Sequence, residues 1–422
     1  MTGRAPGYRK NRTCRYCGSG SLERYLSLGE QPPSNSFIRA DQIATEARYP
    51  LDVYRCGGCA LSQLLDVVPA EAIFDDYVYL SSTSKALVQH YGRLAETVTA
   101  RFGLGKGDVV VDIGCNDGVL LKGYTLPGLV RVGVEPSKVA EVALAAGFTV
   151  LREFFSTALA KQIVEQYGCA KVVTATNVFA HVDAIGDFVE GLLPLLGDDG
   201  AFVIEAPYLL DMFEQTLFDT IYHEHLCYLS LTPLMPFLER HALEVFDVER
   251  VPFGASGPAI RVFVQPFAAD RPVRAAVQQM LEDEARWGVE RPELYQGFAR
   301  AVERIRAEVL EILARLKSDG AHIGGYGAPA KGNTLLNYLG LAPSLVEYIA
   351  ETNAWKQGLL TPGSHIPIVS EEEFLTRMPE YALLLSWNYL DFFLGQSDYI
   401  RRGGRFIVPM PSPRIAPPLA AG

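Results

Sequence analysis

The stretch DVVVDIGCNDGVLL, residues 108–121, decides how this chain is read. A short valine-rich run, Val109 to Ile113, leads into a turn with glycines at Gly114 and Gly118, and then into apolar residues that open a helix. That order predicts strand, turn, helix. A second strand-like run, LVRVGVEP, ends at Glu135. Together these open a doubly wound parallel sheet, in which the glycines let the backbone approach a ligand and the carboxylate suits the two hydroxyls of an adenosine ribose. The turn by itself leaves both a dinucleotide and S-adenosylmethionine open. Asp112 and Asp117 stand where a diphosphate would sit, and acidic groups there suit a cationic sulfonium better. The candidate cofactor residues are Asp112, Gly114, Asn116, Asp117, Gly118 and Glu135, with Asn177 at the end of a later strand.

Downstream, apolar runs at KVVTATNVFAHV, AFVIEAP, VFDVERV and AIRVFV alternate with helix-like stretches, so one α/β unit is expected over residues 81–268. The last two runs, joined by PFGASGP, fit an antiparallel hairpin that closes such a sheet. Residues 269–422 begin with the helical periodicity of AVERIRAEVLEILARLKSDG, which stops at Gly320. A second strand and glycine turn follow in AHIGGYGAPAKGNTLLNYL, then runs at LVEYIAE, YALLLSWN and RFIVPM, as in another small α/β unit. The Pro-rich tail PMPSPRIAPPLAAG is expected to be irregular. Gly324 to Lys331 is not a phosphate loop, because Lys331 precedes Gly332 and Asn333 intervenes before Thr334. A glycine turn opening a helix beside Lys331 could still seat part of a diphosphate, and a ligand-free tight turn fits the residues equally well.

Upstream, residues 1–80 carry two CxxC pairs, Cys14 with Cys17 and Cys56 with Cys59. In a segment too small for a large core, two such knuckles read as a zinc ribbon whose four thiolates close the ion's coordination, so the zinc is structural; a redox or free-thiol use is the alternative. The remaining three of the seven cysteines are scattered, which fits a reducing compartment. The basic opening MTGRAPGYRKNR has no apolar segment behind it, and no apolar run is long enough to span a bilayer. A cytoplasmic location is expected, with no membrane partner. A net charge of −11 argues against general affinity for nucleic acid.

One segment concentrates proton-handling groups: DTIYHEHLCYLS, residues 219–230, holds Tyr222, His223, Glu224 and His225 between apolar neighbours. Two of only seven histidines fall within three residues. The apolar flanks place the cluster against a core rather than on a solvated loop. His181, at the end of a strand-like run, lies where an open sheet binds ligands, although a lone histidine there is more often a packed side chain.

Taken together, TCRYCG with YRCGGC, VVDIGCNDGVLL, ATNVFAHV, DTIYHEHLCYLS and GGYGAPAKGNTLLNY resemble the S-adenosylmethionine-dependent sugar C-methyltransferases of deoxysugar and antibiotic biosynthesis, along nearly the whole chain. The resemblance implies a zinc-binding domain at 1–80, a Rossmann-like methyltransferase domain at 81–268, and a C-terminal α/β domain at 269–422 that contributes to binding a nucleotide-linked keto sugar. It implies methylation at C-3, next to the ketone of a 4-keto sugar carried on a nucleotide such as dTDP, by a monomeric enzyme. Such a carbon becomes a nucleophile only on losing a proton, so the site needs a base and donors aimed at the enolate oxygen. His225 is the expected base, with Tyr222, Glu224 and His181 orienting it or stabilising the enolate; His223 is read as a packing or surface residue. Tyr326, Lys331, Asn333 and Arg261 are expected substrate contacts. Tyr77 and Tyr79, in FDDYVYLSSTS, belong either to a lid over the site or to a linker. Where the family has a His-Gly-Gly-Ser turn, this chain has Phe253 and an added Pro258, which touches substrate identity rather than reaction type. Two rivals stand beside this reading, an O- or N-methyltransferase of small molecules and a non-catalytic binding module.

Overall fold

The computed structural model describes residues 7–70, 73, 80–254 and 257–418. In the N-terminal part, β1 (Arg9–Lys10) pairs with β5 (Asp66–Val67), while β2 (Leu22–Gln31), β3 (Tyr49–Cys56) and β4 (Ser62–Leu64) form an antiparallel meander. The fourth strand of that meander comes from far away in sequence. It is β11 (Cys227–Tyr228), paired as Cys227 with Gln63 and Tyr228 with Ser62. The residues straight after the proton-handling cluster are thereby stitched into the cysteine-bearing unit, which explains their apolar character.

The central sheet has seven strands. β6 (Val109–Ile113), β7 (Val130–Val134), β8 (Thr149–Leu151), β9 (Val172–Thr176) and β10 (Ala201–Pro207) run parallel, and β12 (Leu243–Gly254) with β13 (Gly257–Pro266) closes the edge as an antiparallel hairpin. The order is β12-β13-β10-β9-β6-β7-β8. All of β6 is buried, and β9 and β10 are buried but for their last residue, as expected of strands covered on both faces. The order reverses between β6 and β9, and the carboxyl ends of those strands therefore frame the crevice. Helix α1 (Lys85–Arg101) lies across this region, capped by the Ser84 side chain, and the short α2 (Val119–Gly123) follows the glycine turn.

Helix α3 (Pro292–Ser318) carries the periodicity seen in the sequence. Tyr295, Phe298, Val302, Ile305, Val309, Leu313 and Leu316 recur at spacings of three and four and form its buried face, part of which packs across β2. Proline starts the helix, where no backbone donor is lost, and Gly320 just beyond its end takes the left-handed φ of 81°. The last sheet comprises β14 (Ile323–Tyr326), β15 (Ile349–Ala350), β16 (Ile368–Val369), β17 (Tyr381–Leu384), β18 (Arg405–Val408) and β19 (Arg414–Ala416), in the order β16-β15-β14-β17-β18-β19. Helix α4 (Ala330–Leu339) follows β14. This is a second doubly wound unit, with its own reversal between β14 and β17. The tail departs from expectation. Arg414–Ala416 pairs antiparallel with β18, and the prolines at 413 and 417 flank an edge strand without interrupting its pairing.

Candidate active site

The four cysteine sulfurs lie within 4.8 Å of one another, with Cys14 to Cys59 at 3.6 Å and Cys17 to Cys56 at 3.5 Å. Four thiolates around a tetrahedral zinc at about 2.3 Å sit roughly 3.8 Å apart. The cluster fits that ion. The Gly58 peptide N–H donates to Cys56 Sγ at 3.3 Å, and the Cys14–Cys59 hydrogen bond lowers the first thiol while raising the second, as two sulfurs sharing one proton require. No fifth His, Cys, Asp or Glu joins the cluster among the described residues, so the ion would be closed off and structural.

At the end of β6 the turn residues Gly114, Asn116 and Gly118 all have positive φ, 71°, 51° and 79°. A Cβ on Gly114 would lie 2.2 Å from Val178 Cγ2, so glycine is required there on space as well as on φ. Glu135 braces the turn: Oε2 accepts from the Asn116 N–H at 3.1 Å and Oε1 from the Ser137 N–H at 2.9 Å. Asp112 is enclosed in the sheet, accepts from Thr174 Oγ1 at 2.6 Å, and is pushed up to about 7 by burial. The segment after residue 80 closes over the turn, with the Ser81 N–H on Asn116 Oδ1 and the Ser82 N–H on Asp117 Oδ2. Asp117 Oδ1 is buried without a partner among the described residues. An acidic, glycine-lined turn with an unsatisfied carboxylate oxygen fits the cationic end of S-adenosylmethionine. Asn177, φ 56°, donates through Nδ2 to the Tyr91 hydroxyl at 3.3 Å across the reversal point.

The segment 219–225 is held from three sides. Leu226 N–H reaches the Ala180 carbonyl beside the central sheet, the His223 ring bonds the Pro50 carbonyl of the cysteine-bearing unit at 3.3 Å, and Thr334 Oγ1 donates to the Ile221 carbonyl from α4. So held, it presents Tyr222, Glu224 and His225 to a cavity of about 990 Å³ that His181 and Asn177 also line. His223 faces away and packs edge-on against Tyr49. The His225 ring lies 4.0 Å from the Tyr222 ring and 4.8 Å from that of His181. Its Nδ1 bonds the Thr220 carbonyl at 2.6 Å. A carbonyl only accepts, so Nδ1 carries the proton and Nε2 of the neutral ring keeps the lone pair. Burial lowers His225 to about 4 and raises Glu224 to about 7, while Asn35 Nδ2 donates to Glu224 Oε1 at 2.7 Å. Burial, with His225 adjacent, also holds His181 well below the usual histidine range.

The far wall of the cavity belongs to the second doubly wound unit. There Gly327 turns at φ 80° into α4, and Glu351, just after β15, accepts the Ala328 N–H at 2.9 Å, repeating the relation of Glu135 to its own turn. Lys331 donates to Asn388 Oδ1 at 2.6 Å and lies 4.5 Å from the centre of the Trp387 ring. Tyr326 lines the wall with its hydroxyl on Glu371.

Two expected substrate contacts lie elsewhere. Arg261 sits within the central sheet, bonded through Nε and Nη2 to Glu205 at 3.0 and 2.7 Å and through Nη1 to Glu249. Asn333 is buried and donates to the Ser34 carbonyl at 2.7 Å, tying α4 to the N-terminal part. Tyr77 and Tyr79 fall outside the described residues. Asn35, Thr220, Glu351, Trp387 and Asn388 were not singled out in the sequence, because each matters through a partner distant in the chain or through a backbone carbonyl.

Three family models match this chain: "Methyltransferase domain" over residues 88–247, "Putative zinc binding domain" over 14–74, and "C-methyltransferase C-terminal domain" over 255–411. The curated protein C-methyltransferase NovU of Streptomyces niveus is 36% identical over 405 residues, spanning 95% of this chain and 96% of its own length. The chain belongs to this C-methyltransferase family. Among solved structures, the complex of the Haloferax volcanii Trm112 activator and a methyltransferase matches with 14% identity and a TM-score of 0.35, over 44% of this chain and 94% of that one. An S-adenosylmethionine-dependent methyltransferase of Clostridium acetobutylicum matches with 12% identity and a TM-score of 0.34, over 42% and 92%. As a C-methyltransferase, the chain is an S-adenosylmethionine-dependent enzyme with a zinc-binding N-terminal domain. Among the described residues, no helix is long and apolar enough to cross a membrane.

Proposed function

We propose that the methyl acceptor is a nucleotide-linked 4-keto deoxysugar, carried on a nucleotide such as dTDP and methylated at C-3, beside the ketone. The observation that carries this reading is one cavity lined by two unlike sets of groups. One set is His181, Tyr222, Glu224 and His225; in the other, the Gly327 turn, the N-terminus of α4 and Lys331 offer the groups that receive a diphosphate. Its volume of about 990 Å³ lies at the upper end of ordinary ligand pockets, as a sugar joined to a nucleotide requires. The resemblance of the YHEH and GYGAPAKGNT motifs to sugar C-methyltransferases supports the same acceptor.

Bound S-adenosylmethionine supplies an electrophilic methyl carbon on a sulfonium. The residues of this chain prepare the other partner. His225 Nε2 takes the proton from C-3, and the C–H electron pair moves into a carbon–carbon double bond while charge develops on the ketone oxygen. Tyr222 and the protonated Glu224 donate to that oxygen, and the nearby neutral His181 helps to keep the His225 ring in place. Glu224 can donate because burial holds its carboxyl near neutrality, and His225 can accept because burial keeps its ring neutral. The two side chains are pushed in opposite directions by the same desolvation, and their roles divide accordingly. The O- or N-methyltransferase reading gives way to membership of a C-methyltransferase family, and the non-catalytic reading to the same finding. A monomeric, cytoplasmic enzyme without nucleic-acid partners completes the proposal.

The test is product analysis by carbon NMR, using carbon-13 methyl-labelled S-adenosylmethionine and a panel of nucleotide-linked 4-keto sugars. A labelled methyl at high field, coupled to a ring carbon, supports the proposal. An oxygen-bound methyl, or no product with any 4-keto sugar, overturns it.

A further inference from the structure

Asp219 is wholly buried, yet it sits between the segment that holds His225 and the wall that carries Lys331. Its Oδ2 accepts from the Trp387 indole N–H at 2.7 Å, and its Oδ1 has no partner among the described residues. Trp387 in turn lies under the Lys331 ammonium, 4.5 Å from its ring centre. A cation over an indole face draws electron density from the ring and makes the N–H a stronger donor. One residue past Asp219, the Thr220 carbonyl takes the Nδ1 proton of His225 at 2.6 Å. A continuous path therefore runs Lys331, Trp387, Asp219, Thr220, His225, from the second doubly wound unit to the proton-handling end of the cavity.

We infer that Asp219 and Trp387 are positioning residues: their hydrogen bond fixes the turn at Thr220 so that its carbonyl holds the Nδ1 proton of His225 and leaves Nε2 as the acceptor. A carboxylate buried at the contact between two units is costly to keep, and Asp219 is held there by the Trp387 indole and by the field of the nearby Lys331 ammonium, both from the same unit. The α4 contact from Thr334 to the Ile221 carbonyl grips the same turn two residues later, so two of its holds, beside its own bonds to Leu217 and Phe218, come from the unit that carries Lys331. The arrangement makes the orientation of the acceptor depend on the wall where Lys331 stands. This inference rests on the reading of His225 as proton acceptor, and the experiment separates the two.

The full chain is labelled with nitrogen-15 histidine, and the His225 Nδ1–H resonance is identified by its loss in His225→Asn. In Trp387→Phe, which keeps the ring and removes the donor, that resonance exchanges away or shifts while those of the other histidines stay. Turnover falls by roughly tenfold to a hundredfold through misplacement, with the KM for S-adenosylmethionine and the zinc content unchanged. Asp219→Ala behaves alike, the double variant is no worse than either single one, and Asp219→Asn, which still accepts from the indole, stays within a few-fold of wild type. Trp387→Phe that keeps both the resonance and wild-type turnover overturns the inference, as does a double variant whose losses simply multiply. If His225→Asn itself methylates normally, the reading of the base fails, yet the resonance still reports whether Trp387 holds the ring.

Discussion

The Nδ1 of His225 donates to the Thr220 carbonyl across 2.6 Å, and this one bond fixes which ring nitrogen can accept a proton. A histidine held by a carboxylate would be drawn toward the charged form. Held by a neutral carbonyl and buried, it stays neutral, lowered to about 4, and is ready to accept at any ordinary pH.

The pH profile follows with its signs. Glu224 must be protonated to donate, so turnover falls as pH rises through about 7; His225 must be neutral to accept, so turnover falls as pH drops through about 4. Glu224→Gln keeps a donor at every pH, and the alkaline fall disappears while activity remains. Rate measurements on both proteins across this range check it. A rate that instead climbs through about 7, and vanishes in Glu224→Gln, would make Glu224 the base.

Zinc removal should unfold rather than merely inactivate. The cysteine cluster predicts one tightly held zinc per chain, and Cys14→Ser or Cys56→Ser lowers both metal content and soluble yield, because the metal's binding energy is folding energy for a small unit. Elemental analysis with thermal melting reads both effects. A metal-free chain with wild-type melting contradicts the prediction.

Glu135 braces the glycine turn after β6 through two peptide N–H groups. Glu135→Ala should therefore loosen that turn, at roughly 1.5–3 kcal/mol of stability per lost hydrogen bond to a charged group, and weaken S-adenosylmethionine binding with it. Calorimetric titration measures it, and an unchanged affinity removes Glu135 from the site.

Arg261 separates stability from recognition. Arg261→Leu strips both guanidinium donors from the buried Oε2 of Glu205, leaving only His90 on Oε1, and should cost roughly 3–5 kcal/mol of stability. Acceptor KM in the surviving folded protein should stay close to wild type. A raised KM with unaltered melting would return Arg261 to the substrate.

Much of the architecture was legible because it rests on local pattern. The valine run, the glycine turn and Glu135 specify β6, its turn and β7 from neighbours in sequence, and the edge hairpin follows from two apolar runs and a short link. The YHEH cluster announced itself by composition. What escaped depends on long-range contact. Arg261 lies on a buried strand, where sequence gives its direction no label, and its partner Glu205 is 56 residues away. Asn333 sits in a motif that reads as a ligand turn, but it is the side chain that ties α4 to the N-terminal part. Asn35 reaches Glu224 across 189 residues, and the Thr220 carbonyl is a backbone group with no sequence mark at all. The tail misled for a different reason: prolines flanking a three-residue edge strand look, in sequence, like a segment without structure.

Whether His225 removes the proton beside the ketone is read from solvent exchange. The nucleotide-linked 4-keto sugar is incubated with enzyme in deuterium oxide, with S-adenosylhomocysteine in place of the methyl donor, and loss of the C-3 proton signal is followed by NMR. If His225 is the base, the wild type exchanges the proton and His225→Asn, whose affinity for S-adenosylmethionine remains nearly intact, shows none above background. Exchange or methylation by His225→Asn at close to the wild-type rate would contradict it and move the base to Glu224 or His181.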